Sequence, residues 1–261
     1  MYANIREDEV KDIDEDDEDQ TEIDEDDLEA ELFEEGYNTE QEYNDEYYCE
    51  NTRNYEDEDD YFDYESEYCD IKDIITEKGL NLLKSKTKSP NVMTFYLFDY
   101  IPGRFEQDQN SKDIILIKKN NSETIDKFVN IFLDILDKNR FFVICVVPSA
   151  KSTASDTGVS NIAKKLCQKN SNLWKDGTSV IKRKKDIPIK HLKERYPYYD
   201  EEYDSLDIID SGKIVGENIL LLDDISTKGQ AISVVRKKLL EKGAKMVVAI
   251  TLGKTIFRKP D

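Results

Sequence analysis

With 261 residues, the chain has room for one medium domain with an appendage, or for two small domains. Its formal net charge of −21 is split sharply: residues 1–70 hold 33 acidic and three basic residues, and the other 191 hold 25 acidic and 34 basic. The acidity therefore belongs to a head of net −30, while the remaining body, at +9, has the charge of a binder of phosphorylated ligands or nucleic acid.

Met1–Asp19 has no apolar stretch, which argues against a signal peptide, and the longest apolar run, Phe141–Val147, is too short to cross a bilayer. Cys49, Cys69, Cys145 and Cys167 lie far apart with no Cys-x-x-Cys pair, which speaks against a zinc site and a disulfide framework. A reduced, cytoplasmic protein without membrane contact is the expectation.

From Asp8 to Asp70 the chain alternates Asp/Glu blocks with tyrosines, among them Tyr37, Tyr43, Tyr55 and Tyr61. Like-charge repulsion and scarce aliphatic side chains predict a disordered segment over residues 1–70. It serves as a solvating extension, or docks on a protein partner or on the chain's own basic body. The second unit is then a domain over 71–261.

Within the body, Thr94–Tyr100 and Asp113–Lys118 read as strands by their aromatic and β-branched content. Ser122 can cap a helix whose apolar face is Ile125, Phe128, Val129, Phe132, Ile135 and Leu136. Phe141–Val147, ended by Pro148, has the wholly apolar character of a strand buried on both faces. Val159, Ile162, Ala163 and Leu166 mark another amphipathic helix.

Ser179–Lys182 reads as a short strand, and Lys184–Asp210 as a polar, irregular excursion or flap. Ile219–Leu222 is a second buried strand, Gln230–Lys242 its helix, ended by Gly243, and Met246–Leu252 a third strand. Buried strands alternating with helices predict an α/β fold with a mostly parallel sheet and flanking helices.

Chemistry concentrates in Ile219–Ile232, ILLLDDISTKGQAI. A buried strand delivers Asp223 and Asp224 to the edge of the sheet where ligands bind. The loop Ser226-Thr227-Lys228-Gly229-Gln230 and the helix behind it supply backbone N–H groups and a positive helix end for a phosphate. Lys228 and the Thr227 hydroxyl add donors, and the two carboxylates suit a sugar diol or its magnesium. A diol and a phosphate on one small molecule describe a ribose 5-phosphate.

That segment resembles the phosphoribosyl-pyrophosphate motif of type I phosphoribosyltransferases: four apolar residues, two acidic ones, two more, then Thr-x-Gly. Thr-Lys-Gly-Gln-Ala departs from the commoner Thr-Thr-Gly-x-Thr form. Three further stretches are similar to the competence-protein-F-like branch: Cys145-Val-Val-Pro-Ser149, Lys182-Arg-Lys-Lys-Asp-Ile-Pro188 and Leu252-Gly-Lys-Thr255.

The resemblance implies a transferase that uses 5-phosphoribosyl 1-pyrophosphate with Mg²⁺ and an unidentified small-molecule acceptor, a nucleobase among the candidates. Asp223 and Asp224 would hold the ribose and the metal and carry the catalysis. Thr227, Lys228, Gly229 and Gln230 would hold the 5-phosphate, and Ser149, Lys151 and Arg183 would face pyrophosphate, with Lys184 beside Arg183.

Two other classes stay open: a non-catalytic nucleotide-binding regulator, and an accessory protein of DNA transactions for which nucleic acid is the partner. A Walker arrangement is rejected because Val248 stands where a P-loop ending in Gly253-Lys254-Thr255 needs glycine. His191, the single histidine, reads as structural or exposed, Cys145 as a small core residue, and Lys182–Lys185 as a solvated face.

Overall fold

A computed structural model describes residues 70–85, 94–103, 107–152, 156–187 and 199–256. Residues 1–69 of the acidic head, Pro188 and His191 lie outside the described residues. Seven strands and six α-helices follow one another in these segments. They are α1 Glu77–Leu82, β1 Thr94–Tyr100, α2 Gln109–Lys118, α3 Ser122–Ile135, β2 Phe142–Val146, α4 Gly158–Lys169 and β3 Trp174–Asp176. The remainder are β4 Ile181–Arg183, α5 Tyr199–Ser205, β5 Leu206–Ile208, β6 Asn218–Ser226, α6 Gln230–Glu241 and β7 Met246–Thr255.

Five strands form one sheet in the order β1-β7-β6-β2-β3, every neighbouring pair parallel. All five C-terminal ends therefore lie along one edge. The expected architecture, a parallel sheet flanked by helices, is what the chain forms. All of β2 is buried because both sheet faces are covered.

The pleat sends its residues to two destinations. Phe142, Ile144 and Val146 join a core built with α2, α3 and α4, whereas Val143 and Cys145 join a second core under α6 and the paired strands β4 and β5. Among the described residues no helix is long and apolar enough to cross a membrane.

Two expectations are corrected. Asp113–Lys118 is not a strand but the second half of α2. The Asp108 side chain caps this helix by accepting from Ser111 N, and Ser111, Ile114 and Ile117, three apart, form its fully buried stripe. The four-residue run Ile114–Ile117 carries no periodicity of its own, so β-branching misdirects the reading.

Within the stretch Lys184–Asp210, the described residues 199–208 are more ordered than expected. They contain α5 and β5, and β5 pairs antiparallel with β4 through Ile181↔Ile208 and Arg183↔Leu206. Three-residue strands with a charged centre give no pattern to read. The predicted apolar face of α3 is the buried one, with Asn121 in place of Ser122 as the cap.

Candidate functional site

The strand carrying the two acids runs further than expected. Beyond Leu222, β6 stays paired with β7 through Asp223↔Thr251, Ile225↔Gly253 and Ser226↔Lys254. Asp223 and Asp224 are half-buried in its last turns of pleat. Asp223 Oδ1 accepts from Asp224 N at 2.9 Å, and Asp224 Oδ1 from Ile225 N at 2.5 Å.

The other oxygen of Asp224, Oδ2, lies 3.6 Å from Lys118 Nζ at the C-terminal end of α2. Asp224 raises the Lys118 ammonium above its ordinary pKa, against the opposing effect of partial burial, with Tyr100 and Asp223 adding to the rise. One lysine thus offsets part of the negative charge of the acid pair.

Between β6 and α6 the loop is three residues long, Thr227-Lys228-Gly229. Gly229 has φ +85° and occupies the position that caps α6. A Cβ there would meet only Ser226 Oγ, at 3.7 Å, so the backbone angle and not crowding calls for glycine. The largely buried Lys254 of β7 donates Nζ to the Thr227 carbonyl oxygen, which fixes that carbonyl inward. Lys228 is exposed, and Gln230 Nε2 donates to Glu202 Oε2 at 3.2 Å.

The loop leaving β2 is the neighbour of this one, because β2 and β6 are adjacent and Val147 N continues their pairing to Leu222 O at 2.9 Å. Pro148, Ser149 and Ala150 are half-buried, while Lys151 and Ser152 are exposed. The loop is tied to the segment that follows β4: Ile187 N donates to Ala150 O at 3.1 Å, and Ser152 N and Oγ donate to Asp186 Oδ1 at 2.7 and 2.6 Å. Those Ser152 bonds hold the Asp186 carboxyl below its ordinary pKa.

Arg183 takes a place other than the one expected of it. Its side chain is 2% exposed, facing Glu202, also 2%, at 3.6 Å. Nε donates to Ser149 O at 2.6 Å, Nη1 to Ser205 Oγ at 2.5 Å and Nη2 to Pro148 O at 3.3 Å. The guanidinium is spent on protein acceptors and turns no donor to the open edge. Desolvation lowers its pKa, and Glu202 counters that.

Sequence reasoning thus brings together Asp223, Asp224, Thr227–Gln230, Ser149 and Lys151 on one edge. It misses Lys118, concealed by the misread strand; Lys254, whose inward role a strand-end Gly-Lys-Thr does not announce; and Glu202, one acid among many in a polar stretch.

Among the described residues no group of three or more His, Cys, Asp or Glu could cage a metal. Two adjacent carboxylates nevertheless fit Mg²⁺, which binds through one or two carboxylates together with substrate phosphates. Asp223 suits it better, since Lys118 stands against the outer oxygen of Asp224. The Cys145 thiol is fully buried and pushed up to about 12 by that burial, the behaviour of a core residue and not of a nucleophile.

No family model and no curated protein matches the chain. Among solved structures, a hypoxanthine phosphoribosyltransferase from Staphylococcus aureus is similar at TM-score 0.30 and 12% identity, covering 57% of this chain and 76% of that one. A superposition that loose has no bearing on function, which rests on the geometry of the sheet edge itself.

Proposed function

We propose that the body is a phosphoribosyltransferase that binds 5-phosphoribosyl 1-pyrophosphate across the C-terminal edge of its sheet and transfers the ribosyl group to a small acceptor. One observation carries this reading: the adjacency of β2 and β6 sets the Ser149–Lys151 loop beside the Asp223–Gln230 segment. A ligand with a phosphate at one end and a pyrophosphate at the other needs two such loops on either side of a sugar-binding group. The basic charge of the body and the exposed Lys151 and Lys228 favour so anionic a molecule.

Each group has its task in this reading. The left-handed Gly229 and the first turn of α6 hold the 5-phosphate, with Lys228 adding charge. Asp223 accepts hydrogen bonds from the ribose diol. As pyrophosphate departs, positive charge develops on the ribose ring, and the half-buried carboxylates of Asp223 and Asp224 stabilise it. Lys118 limits the repulsion between those acids and the incoming phosphates. Mg²⁺, held by Asp223 and the ligand, would neutralise charge on the leaving group.

Calorimetry of the full chain with 5-phosphoribosyl 1-pyrophosphate and Mg²⁺, followed by a pyrophosphate-release assay over a panel of nucleobases, tests the proposal. Binding with acceptor-dependent release supports the enzyme, and binding without release from any acceptor supports a non-catalytic regulator. No binding overturns the site.

A further inference from the structure

Beside this edge the buried guanidinium of Arg183 is engaged by protein acceptors. We infer that the buried pair Arg183–Glu202 is a strut that fixes the two ligand-facing loops relative to each other, which makes both side chains positioning residues. The inference rests on the site reading above.

Each half of the pair holds a different loop. Arg183 accounts for the carbonyls of Pro148 and Ser149, at 3.3 and 2.6 Å, in the loop after β2. Glu202 accepts from the side chain of Gln230, the first residue of α6, at 3.2 Å. The two meet at 3.6 Å with both side chains 2% exposed. Ser205 completes the assembly: its Oγ accepts from Arg183 Nη1 and donates to Glu202 O at 2.6 Å, while its carbonyl accepts from Lys184 N at 2.7 Å.

Orientation follows from peptide geometry. In a trans peptide the N–H points opposite to the C=O, and no peptide bond described here is cis. Pulling the Pro148 and Ser149 carbonyls onto the guanidinium therefore turns the N–H groups of Ser149 and Ala150 away from it. Two successive amides facing the same general way form a concave anion site. Arg183 thus serves an anion indirectly, by setting amides, and not by contact. Glu202 makes the burial of that cation tolerable, since a buried charge without its partner is strongly destabilising. Through Gln230 it passes the constraint to the phosphate loop.

The test uses the full chain and two probes measured separately by calorimetry, inorganic pyrophosphate and ribose 5-phosphate. Replacing both partners by apolar residues of similar size, Arg183→Met with Glu202→Leu, leaves no charge unpaired, an exchange that buried ion pairs commonly tolerate. The double variant should keep the wild-type circular dichroism and melt cooperatively, yet bind pyrophosphate at least tenfold more weakly and ribose 5-phosphate several-fold more weakly. Should it fail to fold, Arg183→Lys keeps the charge beside Glu202 but not the planar fork across both carbonyls. It should then lose pyrophosphate affinity at nearly unchanged melting temperature. A folded variant that binds both probes within twofold of a binding wild type overturns the strut. A wild type that binds neither probe overturns the site reading, and the strut with it.

Discussion

Asp223 and Asp224 are neighbours in the chain but differ in electrostatic setting, and substitution should separate them. Asp224 already shares its outer oxygen with Lys118 at 3.6 Å, so Asp223→Asn should weaken ribose 5-phosphate binding more than Asp224→Asn does. Losing both sets of charge-assisted hydrogen bonds should cost roughly 3 kcal/mol or more, read by calorimetry on folded protein. Lys118 offers a second measurement: in Asp224→Asn its ammonium should titrate closer to its ordinary value of 10.5, by NMR of the lysine side chain. In the intact chain Lys118 holds its proton more tightly folded than unfolded. Its contribution to stability is therefore complete below 10.5 and disappears as pH rises through the folded value. The acids were legible in the sequence because four apolar residues, two carboxylates and a glycine loop admit few other arrangements. Arg183 was not, because a buried arginine and an exposed one look alike in one sequence, and its partners Glu202 and Ser205 come some 20 residues later.

Elements were legible wherever burial is two-sided. β2, the Ile219–Leu222 part of β6, and β7 carry apolar runs of the kind that a parallel sheet covered on both faces calls for, whereas α2 and the β4–β5 pair depend on neighbours the sequence does not name. The packing of α2 against α4 illustrates such a dependence. A Cβ on Gly158, the first residue of α4, would lie 1.9 Å from the carbonyl oxygen of Ile117 in α2. Backbone cannot yield as a side-chain end does, so Gly158→Ala should force the helices apart and cost roughly 1–3 kcal/mol. A urea titration would show a lower midpoint at unchanged slope, and an unchanged midpoint would mean that the helices slide without penalty. The helix caps are more modest: Asn121→Ala removes the acceptor for Thr124 N and should cost about 1 kcal/mol.

At the scale of the whole chain, charge and connectivity matter most. An anion approaching the +9 body does so in the field of a chain whose net charge is −21. Residues 71–261 alone should therefore bind pyrophosphate more tightly than the full chain at low salt. The two should converge near 1 M salt, where the Debye length is about 3 Å. Equal affinities at low salt would leave the acidic segment to some other purpose.

Connectivity has a consequence in time. β1 is made long before its sheet partner β7, which ends at Thr255 and also brings Lys254 to the Thr227 carbonyl. While the chain is still being synthesised, β1 and β6 wait with unpaired edges, the condition in which strands find wrong partners. Completion of the sheet edge, stability and escape from aggregation should then arrive together with β7. A nascent chain that stops short of it would be a client for chaperones and not a weakened version of the folded protein.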